Sequence, residues 1–125
     1  MARIIPVFRV FDYNKTIEFY VDWLGFKINW EDKPTNAPVY MEISNGDILL
    51  HLSEHYGDST PGSKVIIDNF PGLKVYHQNL IDKKYKYMNP GIEKAPWDPN
   101  TVCMELIDPF GNRITFSSQE EEEIN

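Results

Sequence analysis

Cysteines and long apolar runs are both scarce in this sequence of 125 residues. Cys103 has no second cysteine to pair with, so an internal disulfide is excluded. The longest apolar stretches are only a few residues long, such as Ile48-Leu49-Leu50, and they are too short to cross a bilayer. The first six residues lack the apolar core of a signal peptide. We therefore expect a cytoplasmic protein.

Positive charge is also scarce. The chain has 12 Lys and Arg against 19 Asp and Glu, which gives a formal net charge of -7. A nucleic-acid partner is therefore disfavoured, because such binding needs a clustered basic patch. Four of the acidic residues are Glu120–Glu123, in a C-terminal tail (residues 119–125) that we expect to be mobile. Without these four glutamates the charge becomes -3, which suits a cationic small molecule.

Several catalytic motifs are missing as well. The sequence has no glycine-rich phosphate loop, no paired-cysteine motif and no serine elbow. What remains is 42% hydrophobic and 25% charged, the composition of an ordinary globular protein. The length fits one domain. We predict a single domain over residues 1–118.

The pattern of the first half predicts a strand, a helix and three more strands. Ile17, Tyr20, Val21 and Leu24 form an apolar stripe with helical spacing, and Gly25 follows where a helix C-cap favours a left-handed residue. Asn45-Gly46 is a strong hairpin signal. The predicted strands of this first module, residues 1–55, are Arg3–Phe11, Phe26–Trp30, Val39–Ser44 and Asp47–Ser53.

The same order of elements returns in a second module, residues 63–118. Pro71 suits a first helical turn, and an apolar stripe follows over 73–81. The predicted strands are Lys64–Asp68, Tyr85–Met88, Thr101–Ile107 and Arg113–Ser118, with a loop at Asn89–Asn100. Two tandem β-α-β-β-β modules predict an α+β fold, with a curved mixed sheet around a cleft and helices on its outer face.

Alternation along the strands separates a face covered by a helix from an open face. A helix covers only one side of a sheet, so polar groups on the other side predict a ligand cleft. The predicted core residues are Ile48, Leu50, Leu52, Val102, Met104, Leu106, Ile114 and Phe116. The residues predicted to point away from the core are Leu49, His51, Ser53, Cys103, Glu105, Arg113, Thr115 and Ser117.

Several local motifs resemble the vicinal oxygen chelate superfamily of lactoylglutathione lyases, extradiol dioxygenases, fosfomycin-modifying enzymes and bleomycin resistance proteins. Arg9-Val10-Phe11-Asp12, Phe19-Tyr20 and Leu24-Gly25-Phe26 look like its first strand and helix. Asp108-Pro109-Phe110-Gly111-Asn112 looks like its last hairpin. The closest likeness is to the bleomycin resistance and glyoxalase-like group, through Ile5-Pro6-Val7, residues 50–55, Pro61-Gly62-Ser63 and Ala95-Pro96-Trp97.

The resemblance also implies where a metal would bind. Enzymes of the superfamily hold a divalent metal at four positions, which correspond here to Ile5, His51, Ser63 or Lys64, and Thr115. Only His51 is a good ligand, and Ile5 has no lone pair to offer. We therefore predict no metal, no cofactor and no catalytic residue, with His51 as the one candidate metal ligand.

The resemblance to bleomycin resistance proteins further implies a homodimer with exchanged N-terminal strands and clefts at the interface. Pro6 stands where those proteins have a proline in the first strand, and Trp30 and Trp97 look like the aromatic walls of the cleft. The predicted ligand-binding residues are Trp30, His51, Ser53, His55, Trp97, Cys103, Glu105, Arg113 and Thr115. The predicted function is metal-free sequestration of a planar, cationic, antibiotic-like molecule.

Other interpretations stay open at this stage. The chain could be a metal-dependent glyoxalase-like lyase or thiol transferase with ligands drawn from His51, His55 and Glu105, or a pocket protein for an unknown metabolite. Trp30 and Trp97 could pack at an interface, and Glu105 could pair with Arg113. Structural roles are expected for three other residues: core packing for Trp23, helix packing for His77, and a turn or cleft rim for His55. We expect no nucleophilic role for Cys103.

Overall fold

The computed structural model describes residues 1–119, and the predicted tail lies outside them except for Gln119. The strands are β1 (Val7–Arg9), β2 (Lys27–Asp32), β3 (Tyr40–Asn45), β4 (Ile48–Ser53), β5 (Lys64–Ile67), β6 (Glu93–Ala95), β7 (Asp98–Ile107) and β8 (Arg113–Gln119). Helix α1 (Tyr13–Thr16) continues into a π-helical segment (Ile17–Trp23), and α2 spans Leu73–Asp82. Within residues 1–119, no helix has the length and apolar character needed to span a membrane.

The two halves repeat one topology, so the predicted α+β fold of tandem modules is confirmed. The first sheet has the strand order β1-β4-β3-β2 and the second has β5-β8-β7-β6. The pairs β1–β4 and β5–β8 are parallel, and each joins the first strand of a module in chain order to its fourth. The other pairs are antiparallel. The chain forms two compact units: Met1–Ser63 with Asp108–Asn112, and Lys64–Ile107 with residues 113–119.

The first helical stretch begins after a side-chain cap and ends where its sequence predicts. The Asp12 side chain accepts a hydrogen bond from the Lys15 backbone N–H, which caps the N-terminus. Gly25 has φ +81° at the C-terminal end, as predicted. The last turn is wider than an α-turn, because the Leu24 N–H donates to the carbonyl of Phe19, five residues earlier.

The core of the first unit combines helix and sheet residues. Phe19, Tyr20, Trp23 and Leu24 are buried in the helical stretch, so the expected packing role of Trp23 is met. Their burial does not follow the predicted stripe fully, because the wider turn brings Phe19 and Trp23 inward while Ile17 and Val21 stay half-buried. Buried sheet residues complete this core: Phe8, Met41, Ile43, Leu50 and Leu52.

One predicted strand of the second unit is wrong. Tyr85–Met88 forms turns rather than a strand, because Lys84 adopts a left-handed φ of 53° directly after α2 and the Met88 N–H bonds back to the Tyr85 carbonyl. Strand β6 lies instead at Glu93–Ala95, inside the predicted loop, and β7 starts at Asp98 rather than Thr101. The predicted strand Arg3–Phe11 is also shorter, with only Val7–Arg9 paired.

The loop Asp108–Asn112 is a hydrogen-bonded element of the first unit. The Asp108 carboxylate accepts four hydrogen bonds, from the backbone N–H groups of Phe110 and Asn112, the Asn112 side-chain amide and the Tyr20 hydroxyl. Burial, and then the neighbouring Asp108 carboxylate, raise the pKa of Tyr20 well above 10.0, so its hydroxyl stays a donor. The Asp108–Asn112 motif, one of those that resemble the superfamily, is therefore bonded to the helical stretch and acts as a structural anchor.

Replacing Tyr20 with Phe should lower the free energy of unfolding by about 1.5–3 kcal/mol, because a buried carboxylate loses a donor. Denaturant unfolding at neutral pH measures this loss. Since folding raises the Tyr20 pKa, the stability of the wild type should also fall as the pH rises above the ordinary tyrosine value of 10.0. The stability of the variant should fall less steeply over the same range. Tyr87→Phe, at an exposed position, is the matched control and should change stability by less than about 0.5 kcal/mol. Equal stability of Tyr20→Phe and wild type would contradict the anchor.

Candidate ligand-binding site

Four side chains share the open face of the first sheet. The strand register places Trp30 on β2 opposite Glu42 on β3, and Glu42 opposite His51 on β4. Tyr40 lies two residues from Glu42 and points to the same side of the sheet. We call these residues, Trp30, Tyr40, Glu42 and His51, the platform.

A β-bulge in β2 turns Trp30 towards this open face. Ile28 pairs with Ile43 and Trp30 pairs with Glu42, so Asn29 is an extra residue in β2. An unbroken ladder would set Trp30 opposite Met41, on the buried face. The Asn29 side chain is held in the bulge, because its amide donates to Glu42 at 3.0 Å and its carbonyl accepts from the Ser44 hydroxyl at 3.0 Å.

The aromatic rings of the platform are stacked and accessible. Trp30 and Tyr40 lie nearly parallel, with 5.8 Å between ring centroids and an interplanar angle of 9°. The His51 ring meets both of them edge-on, at 5.5 Å from Trp30 and 5.2 Å from Tyr40. Trp30 remains 45% exposed, although it is fixed on two sides. A large, ordered aromatic surface is therefore available to a ligand.

A chain of hydrogen bonds runs from Glu42 through His51 to Tyr40. The His51 Nε2 lies 3.1 Å from a Glu42 carboxylate oxygen, and its Nδ1 lies 2.7 Å from the Tyr40 hydroxyl. Hydrogen bonds from His51 and then Asn29 lower the pKa of Glu42, so it is a carboxylate at neutral pH. A carboxylate only accepts, so the proton of neutral His51 lies on Nε2 and its Nδ1 accepts from Tyr40.

Tyr40 and His51 are both engaged in hydrogen bonds of the platform. Burial, and then the charge of Asp58, raise the pKa of Tyr40, so its hydroxyl is not activated as a nucleophile. Both ring nitrogens of His51 already have partners, so a metal would have to break one of these hydrogen bonds. Within residues 1–119 there is no group of three or more His, Cys, Asp or Glu side chains suited to a metal ion. The four superfamily positions do not fit a metal either, because Ile5 has no donor atom.

Two other predicted residues of the first unit shape the loop after β4. The Ser53 side chain is fully buried, donates to Asp58 at 2.6 Å and accepts from the His55 backbone N–H. The His55 ring lies 6.3 Å from that of Tyr40. Ser53 therefore ties the loop that brings His55 beside the platform.

The predicted residues of the second unit form a separate group on its sheet. Glu105 pairs with Lys64 of β5 at 3.5 Å and accepts from the Thr115 hydroxyl at 3.3 Å, rather than pairing with Arg113 among the described residues. Thr115 and Cys103 are buried, whereas Arg113 is exposed. Their role in ligand binding stays a prediction.

Trp97 occupies the turn of the β6–β7 hairpin. Ala95 pairs with Asp98, so Pro96 and Trp97 form the tip, and the tryptophan is 61% exposed. Asp98 fixes the start of β7 directly after this turn, because its carboxylate accepts from the Asn100 N–H and the Thr101 hydroxyl, and these bonds lower its pKa. His77 is expected to pack on the side of α2. Its Nε2 lies 2.8 Å from the Pro90 carbonyl oxygen, which is hydrogen-bond distance.

Sequence reasoning missed Tyr40, Glu42 and Asn29. Tyr40 and Glu42 alternate with the buried Met41 and Ile43, and this alternation would have placed them on the face of His51. Asn29 had no such signal, because a bulge is decided by pairing with the neighbouring strand.

One protein family is similar to this chain over nearly its whole length. A family model described as "Glyoxalase superfamily protein" matches residues 1–123. No curated protein sequence matches the chain significantly.

Several solved structures share the fold at low identity. A bleomycin resistance determinant encoded on the transposon Tn5 has a TM-score of 0.72 and 20% identity, with 96% of this chain and 99% of that one covered. A bleomycin-binding protein complexed with bleomycin has a TM-score of 0.70 and 20% identity over 96% and 100% of the two chains. The bleomycin-binding protein of Streptomyces verticillus, complexed with copper(II)-bleomycin, has a TM-score of 0.66 and 24% identity over 96% and 98%.

Cys103 should react slowly with a disulfide reagent such as Ellman's reagent. Burial, followed by the charges of Glu93 and Glu105, raises the thiol pKa above 9.0, and Lys64 only partly opposes them. At mildly alkaline pH the rate constant should be at least about tenfold below that of glutathione. The same protein unfolded in guanidinium is the control and should react at the rate of a free thiol. A native rate equal to that of glutathione would contradict this account of the site.

Proposed function

We propose that this protein, which belongs to the glyoxalase superfamily, binds a planar, cationic small molecule and sequesters it without chemical change. The observation that carries the proposal is the platform. It offers a half-exposed tryptophan, stacked in a fixed orientation, next to a carboxylate.

Stacking would supply most of the binding free energy. An aromatic pair contributes about 0.5–1.5 kcal/mol beyond the apolar area that it buries. Trp30 is already oriented by Tyr40 and His51, so little side-chain entropy is lost when a ring settles on its exposed face. This preorganisation favours flat ligands over flexible ones.

Glu42 would supply the charge complementarity. Its two oxygens each have one partner, His51 on one and Asn29 on the other. A carboxylate can accept about four hydrogen bonds, so lone pairs remain for a ligand N–H group. Because the chain as a whole is also acidic, a cation is favoured over an anion beside Glu42.

The structural neighbours suggest the first ligand to test. Three of them are described as bleomycin resistance or bleomycin-binding proteins. We propose an antibiotic-like ligand of this kind, bound by a homodimer, with Trp97 as a second aromatic wall. Sequestration agrees with a Tyr40 hydroxyl that is not activated as a nucleophile, and with the finding that residues 1–119 contain no group of side chains suited to a metal ion. Protection would then follow from a lower concentration of free drug.

Trp30→Ala should weaken ligand binding by about tenfold or more, because the stacking surface is lost. Tryptophan fluorescence of tag-free, chelator-treated wild type, titrated with metal-free bleomycin and with the flat cation proflavine, first identifies a ligand. Calorimetry then compares the variants. Tyr87→Ala removes an exposed aromatic ring from the second unit and is the matched control. Unchanged affinity in Trp30→Ala would exclude stacking on the platform.

Glu42→Gln should weaken proflavine binding several-fold and leave binding of acridine, a flat ligand that is uncharged at neutral pH, nearly unchanged. Because the Glu42 pKa lies below 4.5, Glu42 itself remains a carboxylate as the pH falls from neutral towards 4.5. Glu18→Gln, on the exposed side of the helical stretch, is the control for net charge. An equal loss for both ligands would mean that Glu42 positions His51 and does not meet the ligand's charge.

A further inference from the structure

Arg9, at the end of β1, is held between two aromatic rings. Its guanidinium carbon lies 4.7 Å from the centroid of the Phe11 ring and 5.9 Å from that of Tyr56. Phe110 supports Phe11 edge-on at 6.0 Å. The rings fix the cation in one place, since a guanidinium prefers the face of an aromatic ring.

Among residues 1–119, Arg9 has no carboxylate partner. It belongs to neither of the ion pairs His51–Glu42 and Lys64–Glu105. Its Nε is buried without a hydrogen-bond acceptor. A fixed arginine with an unmatched donor is uncommon, because buried polar groups are nearly always paired.

The nearby carboxylates are already engaged. Asp12 caps the helix through the Lys15 N–H, and Asp58 accepts from Ser53, which pairs with Arg9 across the strands. The aromatic rings around the guanidinium are left open to solvent, with Phe11 53% and Tyr56 95% exposed. The chain therefore presents a positive charge framed by accessible apolar rings.

We infer that Arg9, Phe11 and Tyr56 form a binding site for a small organic oxyanion, a carboxylate or phosphate monoester attached to a flat group. The terminal nitrogens of the guanidinium match two oxygens of such an anion, and the flanking rings cover its apolar part. The strand register sets Arg9 across Ser53 from Tyr40, so this site lies on the same face of the first sheet as the platform and carries the opposite charge. Its probes are small anions, so loss of anion binding and loss of cation binding at the platform are distinguishable.

The test is an amide-shift titration of the ¹⁵N-labelled full chain with phenyl phosphate, benzoate and the uncharged benzyl alcohol. Saturable shifts at Arg9, Phe11 and Tyr56 are expected with either anion, and no comparable shifts with the alcohol. Raising the salt from about 0.02 M to about 0.5 M should weaken the anion shifts, because a Debye length of a few ångströms screens an exposed pair.

Two substitutions at Arg9 separate charge from shape. Arg9→Met keeps much of the side-chain length, removes the cation, and should weaken anion binding by about tenfold or more. Arg9→Lys keeps the charge without the planar fork and should bind with intermediate affinity. Arg3→Met removes the same charge from an exposed position six residues earlier and is the matched control.

Three results would overturn the inference: equal anion binding in Arg9→Met and wild type, equal shifts with benzyl alcohol, or shifts with a hexaglutamate peptide and with neither small anion. The last would indicate an acidic polypeptide partner. If Arg9→Met does not fold, the wild-type comparison of anions with benzyl alcohol, at low and high salt, still decides the matter.

Discussion

One short helical stretch can cover only one face of a four-stranded sheet, and the first unit is organised by that constraint. The covered face collects residues that are almost fully buried, such as Met41, Ile43 and Leu52. The side chains between them must point the other way. That open face is where this protein places its polar and aromatic groups, so fold and candidate site are two consequences of one alternating pattern.

Local hydrogen bonding turns this open face into a defined surface. Asn29 fills the bulge that brings Trp30 beside Tyr40, and the same asparagine bonds to Glu42. Glu42 in turn orients His51, whose other nitrogen accepts from Tyr40. Each member of the platform is thus held by another member, which favours a rigid binding surface over a mobile one.

Membership of the glyoxalase superfamily does not by itself fix which side chains stand at the superfamily's metal positions. A fold supports many functions, and the function lies in the side chains placed on it. Here the metal positions hold an isoleucine and other poor ligands, while His51 serves as a link between a carboxylate and a phenol. Arg9 shows the same principle at another place on the first unit, where an unpaired cation is framed by rings.

The sequence by itself determined the repeated order of elements, the helix end at Gly25, and the burial of Leu50, Leu52, Met104 and Leu106 in β4 and β7, because these depend on local propensity and period. Only the tertiary structure decided the bulge at Asn29, the partners of Glu42 and Glu105, and the turn that replaces a strand at Tyr85–Met88. The resemblance predicts Trp30 as an aromatic wall, but its orientation depends on the bulge in β2. Such features arise from pairing between segments far apart in the chain, and no local pattern of residues records which of them will meet.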